Sequence, residues 1–345
     1  MFLGLAFIAT IPILQFISLG YLLETSGRVS RSGRLRDGFI GIRPAARVGS
    51  MVLGTVIWWG PLFLISDTWY ASYLIQPHST VTRSWFVTLL LSCLLIIGHV
   101  LWAWFRGGRL RNFFWPAPLK FIKRMLQGGL FTEARDDLWN FVRGLQLQHF
   151  FWLGLRGFAG AVAWLFIPIL FFIGATTLPA GAAAISGLIG FPLFMFVLLY
   201  LPFLQAHFAA ENRLEAIFEW GEIRQQFRRA PIALWFALAI TLLFALPLYL
   251  LKIELIPREA TMLPNLVFVA FIFPARLMTG WALGRARRHQ TPRFWLSRWL
   301  FRLAGLPLVA GYVFIVFFTR FTSWYGVWSM FEQHAFLVPA PFLGF

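Results

Sequence analysis

Five residues have the type and spacing for chemistry. His207, Glu211, Glu215, Glu219 and Glu222 stand 4, 4, 4 and 3 apart. On a helix that spacing makes one polar stripe. A His/Glu stripe can ligate a metal, but such sites need a second ligand-bearing helix, usually carrying Glu-x-x-His, and the chain has none. The stripe also suits docking onto neighbouring arginine-rich loops, capture of a basic partner, or a solvated face. Other candidates are polar groups inside apolar runs, the default place for function in a membrane. They are His99, His207 and Arg276, the last just after Pro274. A charge at the centre of a span costs about 2.5–3.5 kcal/mol on insertion scales. Arg276 therefore needs an acid, carbonyls, water or a lipid phosphate, or it snorkels to the nearer end. Nucleotide-binding, metalloprotease, redox and serine-hydrolase signatures are absent, and Asp136-Asp137 has no nearby His and reads as a helix-surface feature. No catalytic residue, metal site or cofactor is expected.

These groups sit in an unusual background. Of 345 residues, 59% are hydrophobic, 19% aromatic and only 12% charged, with a mean hydropathy of +0.72. Soluble domains carry about 25% charged residues, so an ordinary soluble fold, a coiled coil and disorder are excluded. The runs 2–23, 49–66, 84–105, 157–178, 185–206, 231–251, 264–283 and 303–321 are each long enough to cross roughly 30 Å of hydrocarbon. Lipid cannot satisfy backbone N–H and C=O groups, so spans must be helices. The ten-residue alternation of an outer-membrane barrel is missing. The expected fold class is all-α, a polytopic transmembrane bundle of about eight spans built as helical hairpins. Residues 1–345 read as one integral membrane domain. Met1 to Tyr21 lacks a basic n-region and a small-residue cleavage site, so it reads as a retained first span. Cys93 has no cysteine to pair with.

The net charge is +17, and all but Lys120, Lys123 and Lys252 of the 30 basic residues are arginine. The alternate segments 24–48, 106–156, 207–230 and 284–302 hold 25 of them. That asymmetry predicts one cytoplasmic face, with both termini on the other side. In so apolar a chain the expected partner is anionic lipid, not nucleic acid. The lipid or partner contacts are assigned to Arg28, Arg31, Arg34, Arg36, Arg106, Arg109, Arg111, Arg285, Arg287 and Arg288.

Two of these loops look alike. Arg31-Ser-Gly-Arg-Leu-Arg-Asp-Gly-Phe39 matches Arg106-Gly-Gly-Arg-Leu-Arg-Asn-Phe-Phe114 at six of nine positions. An internal duplication would explain this, and so would plain Arg/Gly composition after apolar spans. Segment 106–156 carries Phe121, Met125, Phe131, Leu138, Phe141 and Leu145 at helical spacing and is split by Gly128-Gly129. It predicts two amphipathic helices, lying at the cytoplasmic interface or packed under the bundle. Residues 322–345, with Trp324, Tyr325 and Trp328, predict an external interfacial tail. Prolines 12, 61, 168, 192, 202, 247, 274 and 307 lie in or beside spans. Broken helices at such prolines build substrate sites in transporters.

Gly20-Tyr-Leu-Leu23, followed by a basic Gly-rich loop, carries one part of a resemblance. The other is Arg213-Leu-Glu-Ala-Ile-Phe-Glu-Trp-Gly-Glu-Ile223, followed by Arg228-Arg229-Ala-Pro231 and a new span. The pattern A-x-F-x-x-G-E-[IV] before a basic turn resembles an uncharacterised multi-pass membrane family of bacteria and archaea, a domain of unknown function. It is similar to the membrane domains of glycerophosphodiester phosphodiesterases. The resemblance implies a prokaryotic inner membrane and carries over no catalytic residue. The expected function is a non-catalytic integral membrane scaffold or an accessory subunit working with other membrane subunits. The alternative is a transporter or channel with a site near Arg276 and the proline-broken helices.

Overall fold

The computed structural model describes residues 1–127, 129–250, 262–289, 291–322, 326 and 330. Among these the chain is helical, without a strand. It opens with α1 (Phe2–Ala9) and α2 (Gln15–Ser32). There follow α3 (Ile42–Ile75), α4 (Thr80–Phe105), α5 (Leu110–Phe114), α6 (Pro118–Gln127) and α7 (Leu130–Gly144). The remainder is α8 (Leu147–Thr177), α9 (Ala180–Glu211), α10 (Trp220–Arg229), α11 (Pro231–Leu250), α12 (Met262–Arg288) and α13 (Trp295–Thr322). Short 3₁₀ turns at Leu35–Gly38 and Leu214–Phe218 follow α2 and α9. Among the described residues, α3, α4, α8, α9, α11, α12 and α13 are long and apolar enough to cross a membrane. This is a multi-pass, all-α membrane protein.

Two compact units make up the chain: Gly41–Leu145, and Phe2–Ile40 together with Gln146–Phe345. In the first, α3 and α4 form a hairpin. Ser79 caps α4 by accepting from Thr82 N at 3.1 Å, and Thr82 Oγ1 donates to Gln76 O at 2.8 Å. Ile96, Val100, Ala103 and Phe113 make a small core. The outer faces of both helices stay exposed and apolar, as hydrocarbon solvent requires. The expected pair of helices in 106–156 appears as α6 and α7, with Gly129 left-handed between them. Arg124 and Glu133 join them at 2.8 Å. The side chains of Phe121, Met125, Phe131 and Leu138 lie outside the described ones.

The second unit is built around α2. Most of its residues from Gln15 to Ser30 are buried, although half are polar or charged. Lipid gives helices no hydrophobic reason to associate, so close backbone packing by small residues must do it. Here Gly20 of α2 meets the Phe150 carbonyl and Gly154 of α8, and a Cβ on either glycine would overlap backbone. Gly27 lies against Ala209 of α9, while Gly280 and Gly284 of α12 lie against Ser26 and Ser30. Leu22, Leu23, Leu153, Phe203 and Phe208 fill the space between.

The first expected span differs. Residues 2–23 are not one helix, because the chain turns at 10–14, where Pro12 lacks a donor and Ile13 has φ of 72°. Ser18 Oγ donates to Leu5 O at 2.8 Å, folding α1 back on α2. Polar residues expected in the 24–48 loop instead continue α2 to Ser32. The other prolines break nothing: α3, α8, α9, α11, α12 and α13 run through Pro61, Pro168, Pro192, Pro202, Pro247, Pro274 and Pro307. Neighbouring helices can satisfy the backbone groups a proline frees. The 157–206 pair forms full-length helices, roughly 45 Å each at 1.5 Å per residue. Residues 251–261, with Lys252 and Arg258, and most of the 322–345 tail lie outside the described residues.

Candidate functional site

Every helix end in a bundle leaves carbonyls without partners, and cations suit the C-terminal end. In the unit built on α2, arginines supply both needs at one end. Arg31 Nη1 donates to Ala209 O and Ala210 O at 3.0 Å each, the last turn of α9. Its Nη2 donates to Glu24 Oε1 at 2.8 Å, and Arg28 Nε reaches the same oxygen at 2.9 Å. Glu24 is 5% exposed, with His149 Nε2 at 3.6 Å from its other oxygen. Arg288 donates to Ser32 O and Gly33 O at 3.4 and 3.5 Å, capping α2. Arg156 Nη2 donates to Asn212 Oδ1 at 2.8 Å. Glu24, His149 and Arg156 were not singled out in the sequence: His149 and Arg156 meet partners far along the chain, and the burial of Glu24 comes from packing.

The acidic stripe is not a stripe. Its one-helix spacing fails because α9 stops at Glu211, Asn212 turns left-handed at φ of 54°, and a 3₁₀ turn carries Glu215. Glu222 belongs to α10, where it accepts from Gln226 at 3.2 Å. Folding back brings Glu219 to His207 all the same. His207 Nε2 meets Glu219 Oε2 at 2.8 Å, while Arg287 Nη2 lies 2.7 Å from His207 Nδ1 and 2.9 Å from Glu211 Oε1. Arginine only donates, so Nδ1 accepts and the imidazole is the Nε2–H tautomer. The hydrogen bond from His207 is the main influence that holds the Glu219 carboxyl below its ordinary range, helped by Arg213 and opposed by partial burial. The result is a hydrogen-bonded lock between α9, the N-cap of α10 and α12.

A second feature recurs. After α2, α4 and α9 the chain passes through a left-handed residue, an extended arginine and a short helical turn starting at leucine. The three runs are Gly33-Arg-Leu-Arg-Asp-Gly-Phe39, Gly108-Arg-Leu-Arg-Asn-Phe-Phe114 and Asn212-Arg-Leu-Glu-Ala-Ile-Phe218. Arg34, Arg109 and Arg213 have φ/ψ of −113/122°, −72/142° and −117/132°. The sixth residue (Gly38, Phe113 or Ile217) is buried, and its carbonyl is held by Thr25 Oγ1 at 3.2 Å, Trp58 Nε1 at 3.0 Å or Trp164 Nε1 at 2.9 Å. The arginine and the final phenylalanine are exposed in all three. Two of these turns were legible as a repeat. The third was not, because only Arg213, Leu214 and Phe218 persist, and asparagine replaces glycine at a position it tolerates.

Of the other candidates, His99 Nε2 lies 2.7 Å from Phe113 O and its ring packs edge-on against Trp58. Arg276 is 3% exposed within α12, which packs against α1, α2 and α11. Arg106 donates to Asn112 O and Trp115 O. Arg285 lies over the Trp281 ring at 5.6 Å. Arg36 is 4.0 Å from Asp37, and Arg34, Arg36, Arg109 and Arg111 are exposed. Beside Pro231 a cleft of about 490 Å³ is lined by Trp281, Arg285, His289, Arg293 and Phe294. No group of three or more His, Cys, Asp or Glu among the described residues is placed to hold a metal.

The protein family described as protein of unknown function (DUF4013) matches residues 138–255, which include α8, α9, the Arg213 turn, α10 and α11. No curated protein and no solved structure matches.

Proposed function

We propose that this protein is a non-catalytic integral membrane scaffold or accessory subunit. Its arginine-rich turns face the cytoplasm of a prokaryotic inner membrane and rest on anionic lipid headgroups or on partner subunits. The observation that carries the reading is the thrice-built turn, each copy presenting an exposed arginine and phenylalanine from a backbone fixed by a buried sixth residue. Phenylalanine suits the acyl boundary, and each arginine near an anionic surface contributes about 1 kcal/mol. Arg31, Arg287 and Arg288 hold the helix ends together and Arg28 pairs with Glu24, so the outward role falls to Arg34, Arg36, Arg109 and Arg111.

The test is lipid and subunit analysis by mass spectrometry after mild detergent extraction, with membranes cross-linked beforehand in a parallel sample. Wild-type protein should enrich anionic over zwitterionic phospholipid, and R34Q/R36Q/R109Q/R111Q should lower that enrichment several-fold. A lone monomer indifferent to lipid charge defeats the proposal.

A further inference from the structure

The helices α9, α10, α11 and α13 enclose a groove of about 580 Å³ within the unit built on α2. Its walls are almost entirely apolar, with Met195 and Leu199 of α9, Leu238 of α11 and Leu306 of α13 among them. Two cations line it, Arg224 of α10 and Arg302 of α13. Both are exposed, and the Arg224 guanidinium lies over Trp220, 6.0 Å from the ring centroid. Trp235, one turn into α11, adds an aromatic wall, with its indole packed beside Gly305 of α13.

Dimensions narrow the occupant. Along α13 the groove runs from Trp299 to Val309, about 15 Å at 1.5 Å per residue. That is half of the roughly 30 Å hydrocarbon thickness, the depth of one leaflet. The arginine-bearing α10 closes the end where the helix-end arginines gather. A free anion would use the cations and leave the apolar length empty, and a hydrocarbon would do the reverse. An amphipathic anion satisfies both.

We propose that this groove is a binding site for a single anionic glycerophospholipid of the adjacent leaflet. Its phosphate lies between Arg224 and Arg302, and an acyl chain lies along α9 and α13. This rests on the lipid-facing reading above but concerns one saturable site rather than the exposed turns.

Native mass spectrometry of the detergent-purified full chain with added phosphatidylglycerol or phosphatidylcholine tests it. Wild-type protein should retain one phosphatidylglycerol in preference to phosphatidylcholine. R224Q/R302Q should lower that occupancy at least tenfold. L306W, which fills the groove while leaving both arginines, should displace the lipid as well, and size-exclusion profiles should show each variant folded. R34Q/R36Q/R109Q/R111Q should keep the single tight lipid while losing the broader anionic enrichment. If R224Q/R302Q and L306W retain the lipid like wild type, the groove assignment is wrong even where the turn variant loses its enrichment. If inorganic phosphate or soluble glycerol phosphate displaces it at equal concentration, the site is one for free anions and the proposal falls. Absence of any charge preference in wild type overturns both this proposal and the lipid-facing reading.

Discussion

The basic residues of this protein divide into two kinds. Some are structural cations: Arg31 joins the α9 carbonyls at 209 and 210 to the buried Glu24 carboxylate, so one guanidinium ties two helices. Its five donors in a planar fork make this possible, and an ammonium cannot copy it. Arg31→Ala leaves a nearly buried carboxylate with less compensation and two carbonyls bare. It should cost about 2 kcal/mol, and Arg31→Lys about half as much. Thermal unfolding of the detergent-solubilised protein checks this, and a variant as stable as wild type shows that the network contributes little. The exposed kind, represented by Arg34 and Arg109, should leave the midpoint unmoved. Composition could not separate the two kinds, because an arginine that caps a distant helix has the same local sequence as one that faces lipid.

At the scale of elements, α2 is the instructive case. It is too polar for a lipid-facing span, yet it stands in the centre because glycines on α2, α8 and α12 bring backbones together. Gly20→Ala or Gly154→Ala would drive a Cβ into backbone of the facing helix and should cost about 3 kcal/mol or more. Gly49→Ala and Gly60→Ala in α3 meet nothing within 4 Å and should be neutral or slightly stabilising, as helix-interior Gly→Ala changes are. Thermal midpoints by fluorescence-detected size exclusion separate the two pairs, and equal effects would contradict this packing. The apolar runs could be read from hydropathy at this scale. The helix ends could not, since α2, α9 and α12 continue into polar sequence, where distant arginines cap α2 and α9. The folded-back α1 was also hidden, because its apolar residues look the same whether or not Pro12 turns the chain.

For the whole molecule, the proposed orientation has a direct consequence. In a Cys93→Ser background, R34C and R293C should react with a membrane-impermeant maleimide only after cells are permeabilised. L178C, at the opposite end of the α8–α9 hairpin, should react on intact cells. Reaction of Arg34 and Arg293 positions from opposite sides would refute the topology. Within the unit built on α2, the Arg288 bonds to Ser32 and Gly33 and the Arg293 N–H bond to Arg228 O at 3.0 Å already bring three basic segments to one end.

Sequence alone determined that this chain is a multi-pass helical membrane protein, because length, apolarity and the need to satisfy backbone groups in lipid are local properties. It also exposed the basic turns and two of their three copies. Tertiary structure alone decided which arginines are spent inside the fold, that His207 and Glu219 meet across a chain reversal, and that Arg224, Trp235 and Arg302 line one groove. Those relations join residues from about ten to more than two hundred positions apart, and their distances depend on how helices pack rather than on any spacing along the chain.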